Sequence, residues 1–581
     1  MSFLKDLTTV WKTLILIFVP FVASPILTID GSKEMSCLYG VIVIASFWIT
    51  EALPLAVTAL SPIIIFPLLG VLSAKDVCLN YIKDASMFSF SCLTFALCVE
   101  KWKLHKRIAL RTLLLMGSSP KWLTLGFMLP TWFLSMWVNN TSATAMMVPV
   151  VTAVLDQLQD IEEQKKELKG SEILGRSIHL LDKKTASDKF NYPNKEFKHM
   201  CKVLSLCICY SAALGGIGSI GGSTTNLVMQ GQADLIFEKY GLQSGVNFLS
   251  WFMCCFPLAV ICLILSWMWL VFHFFGIREL TSFGCGDKKN TEAMKTVIRD
   301  HLRELGPLSF AEKAVIGHFF ILILSWFSMK MPGDMGWSYY FKPDYVSNST
   351  PGLIVVLLLF IFPCEKPRVF CWLRKEKDGA VPLPKSVPAL IDWKNVNEHF
   401  PWGAWLLVGG GYAIAHVCQA SGLSLWIGLR LSIFSNVTPW LMVFIISLIV
   451  SFLTEITSNA ATASILCPIL ADLAIAMELN PLYLLYPATL ACSLAFMLPV
   501  ATAPNAIVFA IGHIKVKDMA KAGFVLNLIC VLVICIATNT WITALLQLDA
   551  LPLEMRKMLN NSQLVSQFEN TNLTIGNSTL Y

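Results

Sequence analysis

The chain is short of charge. Of its 581 residues only 14% are Asp, Glu, Lys or Arg, while 55% are hydrophobic. Soluble domains carry about 25% charged residues, so this chain has too little ionised surface to cover a water-soluble body of its length. Catalytic signatures are missing as well. No GxSxG, HExxH or DxD motif occurs, and of the nine His residues His105, His179 and His199 fall in or near basic stretches. The glycine-rich GGIGSIGG at 215–222 is followed by no Lys-Ser/Thr pair and has no strand–helix context, which excludes a phosphate-binding loop. The 18 Cys residues mostly sit in apolar blocks, as Cys207, Cys209, Cys254, Cys255 and Cys530 do, with no CxxC pair at zinc spacing. They read as small hydrophobes. A non-enzyme without an organic cofactor or a structural metal is expected.

What is present is apolar and comes in blocks, at 13–29, 248–276, 314–329, 352–363 and 522–546. A bilayer core of ~30 Å takes roughly 20 such residues as a helix. About eleven segments qualify, so the expected class is an all-α polytopic membrane protein. The net charge of +6 lives in loops: Lys101, Lys103, Lys106 and Arg107; a Lys/Glu-rich stretch from Lys165 to Lys202; and Lys366, Arg368, Arg374, Lys375 and Lys377. Nucleic-acid binding would want that charge on a folded soluble face. The positive-inside rule places these loops in the cytoplasm instead. Lys5 and Lys12 precede the first apolar run without a small-residue cleavage site, so an uncleaved first helix is expected. Beyond Lys557 there is no Lys or Arg, and sequons stand at Asn560, Asn572 and Asn577, with another at Asn348. Used sequons mark the outer side. The expectation is a multi-pass plasma-membrane glycoprotein with its N-terminus inside, its C-terminus outside and an odd number of crossings.

The chain also repeats itself. NNTSATAMMVP at 139–149 is similar to SNAATASILCP at 458–468, and a single offset pairs both Asn140 with Asn459 and Pro149 with Pro468. GGSTTN at 221–226 pairs with VATAPN at 500–505. The two motifs stand further apart in the first half, and a polar insert at 160–200 accounts for the difference. The expected layout is an N-terminal segment 1–37, a repeat at 38–276 with a re-entrant hairpin at 119–154, and a polar linker at 277–310. A second repeat at 311–547 carries a hairpin at 438–475, and an extracellular tail covers 548–581. The two repeats are expected to have inverted topology, the layout of secondary transporters whose sites form where broken helices meet.

Backbone cannot stay unpaired in hydrocarbon, so four breaks rich in Asn, Ser, Thr and Gly imply a shared internal site. A broken helix offers free N–H groups with partial positive charge, suited to a carboxylate or sulfate. Its carbonyl ends, with hydroxyl and amide oxygens, suit sodium. The alternative is that the small residues only pack helices closely, and GGG at 409–411 is read that way. Glu51 and Glu455 are read either as functional intramembrane acids or as caps of helix ends.

At these residues the chain resembles solute carrier family 13, the sodium-coupled dicarboxylate, citrate and sulfate transporters. The resemblance runs nearly end to end through EALPLAVTAL at 51–60, EKWKLHKRIALR at 100–111, WLLVGGGYA at 405–413, TEITSNAAT at 454–462, and LNPLYLLYP and AFMLPVATAPNAIVFAIGH within 479–513. It implies a homodimer in the lipid bilayer, with a scaffold, a moving elevator-type transport part and two hairpins with sodium sites at their tips. By that resemblance Asn140, Thr141, Ser458 and Asn459 contact substrate. Asn139, Asn140, Gly222, Thr224 and Asn226 form one sodium site, and Ser458, Asn459, Thr502 and Asn505 the other. The chain departs from the family pattern at Asn139, where Ser is usual. GGSTTN stands where a TGT-type start and a Pro before the Asn are usual, and ATAPN where ATPPN is usual. The resemblance implies symport of a di- or tricarboxylate such as succinate or citrate. STTN at 223–226 leans towards sulfate, while AMMVP at 145–149 and IDWKNVNEHFPW at 391–402 lean towards carboxylates. A transport-impaired relative acting as a sensor or binding protein is the further alternative.

Overall fold

A computed structural model describes residues 11–28, 30–115, 119–173, 192, 194–281, 288–329, 336–342, 345–366, 386–423, 426–427, 430 and 437–558. The described residues are helical, with one isolated bridge between Pro363 and Ala389 and no strand. Among them seven helices are long and apolar enough to cross a bilayer, and four apolar stretches, Leu55–Leu68, Ser349–Ile361, Pro439–Leu453 and Leu482–Cys492, are shorter. The first helix, Trp11–Ala23, exposes Ile17, Phe18, Phe21 (77%) and Val22. In water such a patch costs roughly 25 cal/mol per Å². Against acyl chains it costs nothing, which is why an apolar helix with almost no buried residues is stable here.

Ten helices position the central site. In the first half these are α1 (Pro120–Ser135), α2 (Asn140–Ile173), α3 (Lys195–Gly216), α4 (Thr224–Glu238) and α5 (Phe248–Phe275). In the second they are α6 (Pro439–Leu453), α7 (Asn459–Ala476), α8 (Leu482–Cys492), α9 (Ala503–Ala510) and α10 (Val516–Ala537). Helices α1 and α6 begin alike, on an extended Ser119 or Thr438 followed by Pro at the first turn, where its missing N–H is no loss. Both are short, at 16 and 15 residues, and 136–139 or 454–458 lead on into α2 or α7.

The packing is the same in both halves. Helices α1 and α2 lie on α3, and α6 and α7 lie on α8. The halves then interlock: α4 packs on α7 and α8, while α9 packs on α2 and α3. Helix α3 is buried along nearly its whole length, so it forms the axis of the bundle.

Two segments expected to be polar loops hold more helix than their composition suggested. Helix α2 continues to Ile173, well into the insert expected from residue 160. The 277–310 linker contains helices Ile277–Thr281 and Lys288–Glu304, the latter packed on α2 and Leu104–Leu114 with Ile298 buried. The end of the chain's described part is docked too. The Leu551 N–H reaches the Glu478 carbonyl at 3.2 Å, and Arg556 pairs with Glu478 at 2.5 Å. The sequons at Asn560, Asn572 and Asn577 lie outside the described residues. Asn348 precedes helix Ser349–Ile361, half-buried, and its carbonyl accepts from Trp326 Nε1 at 3.0 Å. The three glycines at 409–411 are there for close packing. A Cβ would lie 2.8 Å from the Tyr81 ring at Gly409, 2.6 Å from the Ala59 carbonyl at Gly410 and 2.8 Å from Ser464 Oγ at Gly411.

Candidate functional site

Each helix break is tied by an Asn that commits both amide hydrogens to backbone carbonyls. Asn226 donates to Gly216 O at 2.8 Å and Ser219 O at 2.9 Å. Asn505 donates to Ala495 O at 2.8 Å and Leu498 O at 3.0 Å. In both cases the acceptors stand ten and seven residues upstream. These bonds fold the unwound segment after α3 or α8 into a loop and leave the amide oxygen to accept, as Asn226 Oδ1 does from Thr225 Oγ1 at 3.3 Å.

The tips have a matching tie. Ser135 Oγ donates to Asn140 Oδ1 at 2.7 Å, and Thr454 Oγ1 donates to Asn459 Oδ1 at 2.8 Å, both across five residues. Asn139 Oδ1 also accepts the Thr141 N–H at 3.0 Å, capping α2. Ser458, by contrast, precedes α7 without a side-chain cap, and Ser223 before α4 and Thr502 before α9 are also without one. Three helix N-termini therefore keep donors unmatched by their own caps, and such ends attract anions.

All of this surrounds one cavity of about 590 Å³. Asn139, Asn140, Thr141, Gly222, Thr224, Ser458, Asn459 and Thr502 line it, so eight expected site residues from opposite halves meet there. Asn226 and Asn505 stand behind its wall, buried and holding the loops. Trp11, Lys12 and Glu51 also reach the cavity. Glu51 closes helix Lys33–Thr50 in the left-handed conformation, φ 49°, so it serves as a helix end and a cavity residue together.

Glu455 is a cap. Its carboxylate accepts the N–H groups of Phe496, Met497 and Leu498 at 2.8–3.1 Å and Asn527 Nδ2 at 2.8 Å. Met136 holds the matching place in the first half, at the offset that relates Asn140 to Asn459. There the Met136 carbonyl accepts from Ser219 Oγ. The first half thus ties its loop with a neutral bond where the second uses a full charge.

The sequence reading missed Ser135, Thr454, Gly216 and Asn527. Ser135 and Thr454 were detectable, because the same offset pairs them too. Gly216 lets Asn140 through: a Cβ there would collide with the Asn140 amide. Among the described residues no cluster of three or more His, Cys, Asp or Glu could hold a metal ion.

Broken helices from two halves of one bundle, meeting on one shared cavity, define a polytopic membrane protein with a candidate site for a small solute. Residues 6–548 match the family described as the sodium:sulfate symporter transmembrane region. The human protein named solute carrier family 13 member 2 is 43% identical over 562 residues, spanning 93% of this chain and 94% of its own. A rat Na(+)/citrate cotransporter is 40% identical over 571 residues, spanning 95% and 98%. Rat solute carrier family 13 member 1 is 40% identical over 581 residues, spanning 93% and 96%. The chain belongs to solute carrier family 13.

Proposed function

We propose that the protein is a sodium-coupled symporter of small di- or tricarboxylates such as succinate or citrate. The observation that carries this reading is the meeting of eight Asn, Thr, Ser and Gly residues from both tips and both breaks on one cavity. Its size, about 590 Å³, falls within the range of small-molecule sites. The substrate carboxylates lie between the tips, against Asn140, Thr141, Ser458 and Asn459 and the uncapped N-termini of α4, α7 and α9. One sodium lies among Asn139, Asn140, Gly222, Thr224 and Asn226, the other among Ser458, Asn459, Thr502 and Asn505. Hard cations take oxygen ligands, and amide, hydroxyl and backbone oxygens supply them. Relatives named as Na(+)/citrate and Na(+)/dicarboxylate cotransporters support the choice of substrate.

In this reading α1–α2 and α6–α7 are re-entrant hairpins of two inverted repeats, and the hairpins with their bound ions move as an elevator against a dimeric scaffold. The protein sits in the plasma membrane with basic loops and N-terminus inside and a glycosylated tail outside. Sulfate is the second reading, favoured by the hydroxyls of STTN at 223–226 beside the cavity. The test is uptake of labelled succinate, citrate and sulfate by cells expressing the chain, in sodium and in choline. Sodium-dependent, electrogenic carboxylate uptake is expected. Sulfate uptake alone selects the second reading. Uptake that persists in choline or follows a proton gradient rejects both.

A further inference from the structure

The two loops differ at one residue in a way that joins them. Thr225 stands immediately before Asn226, where the second half has Pro504 before Asn505. Proline has neither a side-chain donor nor an N–H, so this hydroxyl has no counterpart. Thr225 Oγ1 is buried and has three polar neighbours: Ser223 Oγ at 2.8 Å, Asn226 Oδ1 at 3.3 Å and Ser493 Oγ at 3.3 Å. Ser493 belongs to the other half, closing α8 at the start of the segment that carries Thr502 and Asn505.

Asn226 commits both amide hydrogens to Gly216 and Ser219. Its Oδ1 can therefore only accept, and Thr225 is the hydroxyl that reaches it. From Ser493 a polar line continues. The neighbouring Cys492 carbonyl lies 2.8 Å from Thr454 Oγ1, which also touches Asn459 Oδ1. Asn226 in the first break and Asn459 at the second tip are thus joined through Thr225, Ser493 and Thr454.

We infer that Thr225 is a positioning residue that couples the two cation sites through Ser493. A hydroxyl has one proton and rotates to suit its surroundings. With the first site empty, Ser223 Oγ donates to Thr225 Oγ1 and the Thr225 proton points at Asn226 Oδ1. A cation taking Asn226 Oδ1 repels that proton and draws the Thr225 lone pair, so the hydroxyl turns its proton to Ser493 Oγ, the same distance away. Filling the first site thereby fixes the start of the second loop before the second cation arrives. Two ligands that order the same element bind cooperatively, and the coupling is reciprocal. This inference rests on the sodium-coupled reading of the cavity.

The experiment is a sodium titration of uptake, using whichever anion the full-length protein carries, normalised to surface protein. The variants are Thr225→Val, Ser493→Ala, the double variant and Thr225→Ser. Each of the first two should raise half-saturating sodium roughly 2- to 10-fold, the reach of one neutral hydrogen bond, and lower the Hill coefficient. For Ser493→Ala, which does not line the cavity, substrate KM at saturating sodium should stay unchanged, which a loosened cavity would not allow. The double variant should be no worse than the worse single, and Thr225→Ser should behave as the parent. If Thr225→Val fails to reach the surface, Ser493→Ala decides alone. A parent that is steeply sodium-dependent, with singles that keep its coefficient or a double equal to their product, overturns the coupling and leaves the symport reading intact. A parent that needs no sodium overturns both.

Discussion

Glu455 Oε1 and Asn527 Nδ2 meet at 2.8 Å, and around them the carboxylate gathers three consecutive backbone N–H groups of the second break. A carboxylate sharing four donors is held more strongly than a neutral acceptor, by roughly twice per bond. It also leaves none of these N–H groups orphaned inside the bundle.

Glu455→Leu should therefore lower the thermal midpoint of the purified protein sharply, because each stranded N–H costs about 1–3 kcal/mol. Glu455→Gln keeps one acceptor oxygen and the shape, and should cost less than half as much. The comparison is read by unfolding in detergent. Midpoints equal to the parent's in both variants would mean the charge and its bonds are dispensable.

Asn140 and Asn459 occupy matching places, each held through Oδ1 by a hydroxyl five residues earlier. Replacing either with Ala removes an oxygen and an NH₂ group from the cavity wall, at about 1–3 kcal/mol, or roughly a 5- to 150-fold loss of apparent affinity. Uptake at low substrate and low sodium should collapse while surface protein stays normal. Asn139→Ser installs the residue found at Ser458 in the other tip and should preserve or raise sodium affinity. Normal transport by both Ala variants would leave the small residues with packing alone.

Gly216→Ala tests a steric requirement. The added Cβ would strike the Asn140 amide, whereas the second half already carries Ala495 at the corresponding place. We expect a loss of uptake close to that of Asn140→Ala, with an unfolding midpoint near that of the parent. A larger loss of stability than of transport would show that Gly216 serves the helix contact rather than the Asn.

Arg107 and Glu312 form a buried pair, Nε to Oε1 at 2.9 Å, and Arg107 also donates to the Gly306 and Leu305 carbonyls. The pair clamps the linker onto Leu104–Leu114. Glu312→Ala strands the guanidinium and should cost about 3–5 kcal/mol. Arg107→Met combined with Glu312→Leu should recover much of it. A double variant as unstable as the single would mean the two carbonyl bonds, not the ion pair, hold the linker.

The sequence was most legible where physics repeats itself. Hydrophobic blocks revealed helices, and one shared offset paired Asn140 with Asn459 and Pro149 with Pro468 from the letters alone. It was least legible where bonds cross between segments. Nothing local to Glu455 tells that residues 496–498 will need an acceptor, and nothing local to Gly216 tells that Asn140 passes over it. The helix Lys288–Glu304 was misread as loop because its charge hides a single buried stripe around Ile298. Thr225 looked like a departure from a family pattern, and its meaning depends on Ser493, far along the chain in the other half.

The shortness of α1 and α6 bears on how the protein is made. With 16 and 15 residues they are about 24 and 22 Å long, less than the ~30 Å of a hydrocarbon core. Both fall short of the full hydrocarbon thickness by themselves. Helix α4, which packs against α7 and α8, must wait until synthesis has passed Cys492 before both partners exist. The first half therefore spends its youth unfinished, its polar breaks without their shelter. Substitutions at the α4–α7 contact should therefore reveal themselves first during synthesis, as chain that is made and never matures into folded protein.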